Sequence, residues 1–169
     1  MDALDKQGLL LTGTRRSLLS NLLVIVVAAD ASVMPKSASD LTKPEYRRIV
    51  LAEPQTVPAG IYAKEYLQKR GLWEAIKEKV VPAETVRAAL AAVESGNVEA
   101  GFVYKTDSLI SKKVKVAVEI SPAEGPKISY PMSVLQSSKE PERAKKLAAY
   151  LASPAARQVF EKFGFIVRN

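Results

Sequence analysis

Apolar residues along this chain switch between a strand-like and a helix-like rhythm, and the switches mark its elements. Residues 22–28 form a continuous apolar run rich in β-branched Val24, Ile25, Val26 and Val27, the pattern of a strand covered on both faces. A polar loop, residues 30–39, follows with Pro35, and Asp40-Leu41-Thr42 opens a short helix that Pro44 breaks. Arg48 to Ala52 reads as a second strand. Pro58 then stands in the first turn of a helix to about Arg70, with Ala59, Ala63, Tyr66 and Leu67 on its buried face and Gly71 after its end. Trp73 and Ile76 belong to a short helix, Lys79-Val80-Val81 is strand-like, and Pro82 marks a turn.

The cleanest helix spans residues 84–95. Val86, Ala89, Leu90 and Val93 fall on one face, and Gly96 ends it. Residues 100–104 form the next strand, followed by a loop with Thr106, Asp107 and Ser108. Residues 114–120 and 128–135 read as two further strands around the turn-rich stretch 121–126. In the tail, Ala144, Leu147, Ala148 and Leu151 make an apolar stripe. Ser153-Pro154 is an N-cap with proline after it, opening a helix through Val159, Phe160 and Phe163, and Gly164 stops it before an extended piece at residues 165–167. Strands alternating with helices predict an α/β fold with a sheet largely parallel in its middle. There is no internal repeat and no low-complexity tract.

One stretch has two readings. Arg15-Arg16, the apolar residues 18–29 and Ala29-Asp30-Ala31 have the layout of an export signal. Asn21 interrupts it and a helix-like opening, residues 1–8, precedes it. The local pattern leaves signal and strand nearly balanced, and the rest of the chain decides for the strand.

At 169 residues the chain holds one good core or two small ones. It has no Cys and no His. That excludes thiolate chemistry, disulfides, the usual zinc ligand sets and histidine acid/base catalysis. The net charge of +7 is spread along helix faces with acids interleaved, as in Lys77-Glu78-Lys79. This fits a solvated surface with weak steering of anions better than a nucleic-acid footprint. Glycine-rich phosphate loops, Ser-x-x-Lys pairs and a G-x-S-x-G elbow are all missing. An enzyme, with catalytic residues to name, is not the expectation; neither a cofactor nor a bound metal is.

Helix starts are the better candidates. First-turn amides lack intrahelical partners, and the helix dipole adds partial positive charge there, so such an end accepts an anion. The amide of Ala59 lies in the turn begun by Pro58, and that of Val86 in the turn begun near Glu84. Both follow short strands, and Tyr104 closes a third and offers a hydroxyl. Together they point to one sheet edge, outside the carboxyl ends of parallel strands. Every α/β protein has helix starts, so these alone are not specific.

The wording of the segments is more specific. Val57-Pro58-Ala59-Gly60-Ile61-Tyr62-Ala63-Lys64-Glu65, Pro82-Ala83-Glu84-Thr85-Val86-Arg87-Ala88-Ala89-Leu90 and Gly101-Phe102-Val103-Tyr104-Lys105-Thr106-Asp107 resemble, in order and spacing, the periplasmic molybdate-binding proteins of ABC transporters. Phe160-Glu161-Lys162-Phe163-Gly164-Phe165, the opening Met1-Asp2-Ala3 and Gly13-Thr14-Arg15-Arg16 fit as well, so the resemblance covers essentially the whole chain. It implies a two-lobed periplasmic-binding-protein type II fold and an extracytoplasmic home. It also implies a membrane permease as partner and a molybdate or tungstate oxyanion held between two lobes, with no nucleic acid involved. The ligand donors it implies are the backbone amides of Ala59 and Val86 and the hydroxyl of Tyr104.

The departure from the family is at the front. Family members carry a signal peptide and two serine-bearing loops that this chain does not match. The resemblance therefore implies an N-terminally truncated member: residues 1–21 a remnant of the first lobe, 22–125 a complete second lobe, and 126–169 the crossover strand and last helices of an incomplete first lobe. Weak or absent anion binding and self-association through uncovered tail helices are the expectations. An oxyanion-sensing effector domain of a transcription regulator, which shares the architecture, stands as the alternative.

Overall fold

The computed structural model describes residues 1–168. In chain order its elements are α1 (Asp2–Lys6), β1 (Arg16–Ser20), β2 (Leu23–Ala28), a 3-10 turn (Ala38–Thr42), β3 (Ile49–Ala52), α2 (Pro58–Lys69), α3 (Trp73–Ile76) and β4 (Val80–Ala83). They continue with α4 (Val86–Glu94), β5 (Ala100–Tyr104), α5 (Lys105–Ser108), β6 (Val114–Glu119), β7 (Tyr130–Met132), α6 (Pro141–Leu151), α7 (Pro154–Lys162) and β8 (Ile166–Val167). The chain divides into two compact units: Leu22–Lys127, and Met1–Asn21 together with the chain from Ile128 onward.

The unit of residues 22–127 is built on a five-stranded sheet of order β4-β3-β5-β2-β6. β3 pairs in parallel with both β4 and β5, whereas β2 runs antiparallel to β5 and β6. Only the β4-β3-β5 half matches the parallel sheet that the strand–helix alternation predicts. The continuous apolar run of β2 is explained by cover on both faces. Leu23, Ile25 and Val27 join a cluster with Ile49, Leu51, Phe102 and the α2 residues Ala63, Tyr66 and Leu67. Val24 and Val26 join Val50, Val103 and the α4 residues Ala89, Leu90 and Val93. Each strand thus alternates its side chains between two helical layers, with period two hidden by uniform hydrophobicity.

The other unit is thinner. Its three strands, in the order β7-β1-β8, pair antiparallel throughout. Leu18 and Leu19 of β1, with Leu10, Ile128, Val134 and Ala156, are its buried apolar residues. α6 buries none of its residues, and α7 buries only Ala156.

Several boundaries differ from the sequence reading. The apolar stretch after Arg15-Arg16 is two strands, β1 and β2, so its export-signal layout is a by-product of sheet residues. β1 itself has no clear alternation and goes unanticipated. Pro82 sits inside β4 opposite Leu51, which an edge strand tolerates because one side of it pairs with nothing. Thr106, Asp107 and Ser108 form the short helix α5 rather than a loop. The strand expected over residues 128–135 shrinks to β7, with an isolated bridge from Leu135 to Leu10.

Candidate functional site

All three sequence candidates lie at the carboxyl edge of the five-stranded sheet. Ala52 and Ala83, the last residues of β3 and β4, are register partners, so the loops leaving them start side by side. The Glu53 amide donates to the Ala83 carbonyl at 2.7 Å and joins the two loops. Tyr104 ends β5, and its partner across the ladder is Leu23, the first residue of the antiparallel β2. Parallel pairing therefore turns three separate chain segments toward one edge, the place where open α/β sheets receive ligands.

α2 opens with Val57 as N-cap and Pro58 at the first helical position, and no side chain caps it. Valine cannot accept a hydrogen bond from the first-turn amides, and proline has none to offer. The first helical bond is Ile61 N–H to Val57 C=O at 3.0 Å, so Ala59 and Gly60 hold the orphan amides of this turn. Gly60 explains how close that turn comes to the sheet. A Cβ there would stand 1.9 Å from the Ala52 carbonyl oxygen and 2.8 Å from that of Glu53. Only glycine permits this approach of helix to strand end. Its role goes unnoticed in the sequence reading, because a glycine in a first helical turn carries no periodic signal.

α4 starts later than the sequence suggests. Thr85, not Glu84, is the cap, and its hydroxyl accepts from the Ala88 amide at 3.0 Å. A threonine directly before the apolar periodicity is the signal that finds it. Val86 and Arg87 are left as the first two helical residues, with amides beyond the reach of helical bonding. Neither α2 nor α4 has an acidic residue in its first turn, although Glu53 and Glu84 line the hollow between the loops that lead into them.

The charges around Tyr104 are tied to one another. Arg87 Nε donates to Asp107 Oδ1 at 3.0 Å, joining the first turn of α4 to α5. Tyr104 is the N-cap of α5, and Asp107 is the third residue of that helix, the position of the acid in a capping box. Burial pushes the Asp107 carboxyl above the ordinary carboxylate value; the Arg87 guanidinium and the Tyr104 backbone pull it the other way. Lys105 pairs with Glu119 at 2.7 Å. The edge thus presents backbone dipoles, while its nearest cations are neutralised in pairs. Arg87 and Asp107 are twenty residues apart, and no local pattern links them. Among the described residues no group of three or more acidic side chains could hold a metal, and no helix is long and apolar enough to cross a membrane.

The family model for bacterial extracellular solute-binding proteins matches residues 1–166. The chain belongs to that family. Similarity to individual members points the same way. It is 43% identical over 148 residues to a candidate ABC transporter substrate-binding lipoprotein, YvgL, of Bacillus subtilis, covering 88% of this chain and 56% of the relative. It is 39% identical to the molybdate-binding protein ModA of Escherichia coli, over 98% of this chain and 65% of that protein. The chain therefore spans less than two thirds of the length of these curated relatives. Among solved structures, the substrate-binding domain of a candidate molybdenum ABC transporter from Clostridium difficile superposes with a TM-score of 0.89. That match has 37% identity and covers all of this chain and 73% of that one. The solute-binding family is one of carriers rather than enzymes, and its mixed α/β, two-unit architecture is the periplasmic-binding-protein type II fold.

Proposed function

We propose that residues 22–127 of this solute-binding protein carry the part of an oxyanion site that holds molybdate or tungstate for an ABC importer. The amides of Ala59 and Val86 and the hydroxyl of Tyr104 are the donors. One observation carries this reading: two helix starts, both without first-turn acids, meet the end of a third strand at one sheet edge. Names of similar proteins support the ligand class, since the relative from Escherichia coli is a molybdate-binding protein. A membrane permease is then the partner that accepts the cargo, and an extracytoplasmic compartment is the place of work.

The chemistry of such a site is neutral. MoO4²⁻ presents only acceptors, and each N–H or O–H pointed at an oxygen replaces a water it gives up on binding. Backbone amides at helix starts bring partial positive charge without a counter-ion, and they cannot take a proton from or give one to the ligand. Selection among tetrahedral oxyanions then rests on cavity size. Three donors meet only part of the acceptor capacity of four oxygens, so these residues by themselves hold the anion weakly.

A thermal-melt series with molybdate, tungstate, sulfate and phosphate tests the reading. An anion present at about 100 times its Kd stabilises by roughly 2.7 kcal/mol, enough to raise Tm by several degrees. A rise with molybdate and tungstate but not with sulfate supports it. Equal rises with all four anions, or a rise with phosphate alone, contradicts the proposed ligand class.

A further inference from the structure

Resting on that reading, we propose that Arg87 and Asp107 are positioning residues that set the spacing between the Val86 amide and Tyr104. Val86 is the first helical residue of α4 and Arg87 the second. The Arg87 guanidinium reaches across to Asp107 at 3.0 Å, and Asp107 stands in α5, the short helix that Tyr104 opens as N-cap. One carboxylate therefore ties the start of α4 to the end of β5. α4 and β5 also meet through apolar packing of Ala89, Leu90 and Val93 with Val103, and the carboxylate adds a directional polar tie to that contact.

The two partners have unequal surroundings. The Asp107 side chain is 13% exposed, whereas that of Arg87 is 65% exposed. A largely exposed cation paired with a half-buried carboxylate adds little to global stability by itself. Its value lies in fixing a local distance, because interactions within one hydrogen-bonded network are not additive and a donor set displaced by a fraction of an ångström loses ligand. The groups that act on Asp107 are Arg87 and the Tyr104 backbone. Lys105, next to Tyr104, is committed to Glu119.

This arrangement separates two ways in which an arginine beside an anion site can act. If Arg87 merely attracts the anion, releasing it from Asp107 strengthens binding. If the pair positions donors, releasing it weakens binding. Sodium molybdate titrations of the parent, Arg87→Ala, Asp107→Asn and the double variant decide between them, with thermal melts of each without anion. We expect both single variants to weaken molybdate roughly tenfold and the double variant to be no worse than either. We expect the anion-free melt of Arg87→Ala to stay within about two degrees of the parent, as for an exposed pair. Lys77→Ala, which breaks the exposed pair with Glu74 on α3, is the control and should change neither readout.

Tighter binding by Asp107→Asn overturns the proposal, as do unchanged affinities or losses that simply add. If the parent binds none of the oxyanions, the functional reading fails for this chain, and the positioning role is decided by amide exchange. Arg87→Ala should then speed exchange at Val86, Arg87 and Tyr104 while leaving Leu90 and Val93 protected; unchanged exchange at all of them refutes it.

Discussion

The two units of this chain use the same residue types to different effect. In residues 22–127 every strand of the sheet interior is covered on both faces, and Val24, Ile25, Val26 and Val27 are all fully buried. In the other unit, Leu147 and Tyr150 on α6, Val159 on α7 and Phe163 at its C-cap are each more than half exposed. Those helices have clear apolar stripes, and α7 a serine cap, yet they have little to pack on. Amphipathic pattern alone makes a helix; it does not make a core. The candidate donors sit on the well-packed unit, where helix starts are pinned against strand ends and a local geometry can be held.

The largest effect is expected at Gly60. Gly60→Ala places a methyl against the Ala52 carbonyl, and α2 must move off the strand end. We expect a loss of more than about 3 kcal/mol, read by urea unfolding, with any oxyanion response lost as well. A milder result would mean that α2 does not need its close seat. The second contrast is between cores. Phe102→Ala empties a fully buried position and should cost about 3–5 kcal/mol, whereas Leu147→Ala should stay within roughly 0.5 kcal/mol. Similar losses at both positions would show that α6 is covered in solution.

Smaller effects are expected at single hydrogen bonds. Tyr104→Phe removes one hydroxyl and should weaken molybdate binding by about 1–3 kcal/mol with the fold unchanged, measured by calorimetric titration. Among caps, Thr85 accepts at 3.0 Å and Ser153 at 3.4 Å. Thr85→Ala should cost about 1 kcal/mol in thermal unfolding, and Ser153→Ala less.

How much could be read beforehand follows the same division. The α2 segment was legible in full: Pro58 at its start, Gly71 with φ +69° beyond its end, and Ala59, Ala63, Tyr66 and Leu67 buried as their spacing demands. So were β2 and β5, whose apolar runs leave no polar face to misplace. Pro82 misled because proline usually ends a strand, and only the sheet order reveals that β4 is an edge. β7 was overextended because residues 128–135 alternate well but pair with β1 over three residues. Within the site, Ala59, Val86 and Tyr104 could be singled out from helix starts and a strand end. The antiparallel placement of β2, the tight seat of Gly60 and the Arg87–Asp107 link are tertiary facts, set by which segments the sheet brings together.

On the proposed function, the carboxyl edge of the five-stranded sheet binds a tetrahedral oxyanion through first-turn amides. A titration of ¹⁵N-labelled protein with sodium molybdate, followed amide by amide, tests it most directly. We expect saturable shifts concentrated at Ala59, Gly60, Val86 and Arg87, with Tyr104 following and the amides of α6 and α7 unmoved. Shifts spread over surface lysines and rising without saturation, or centred on residues outside that edge, would contradict it.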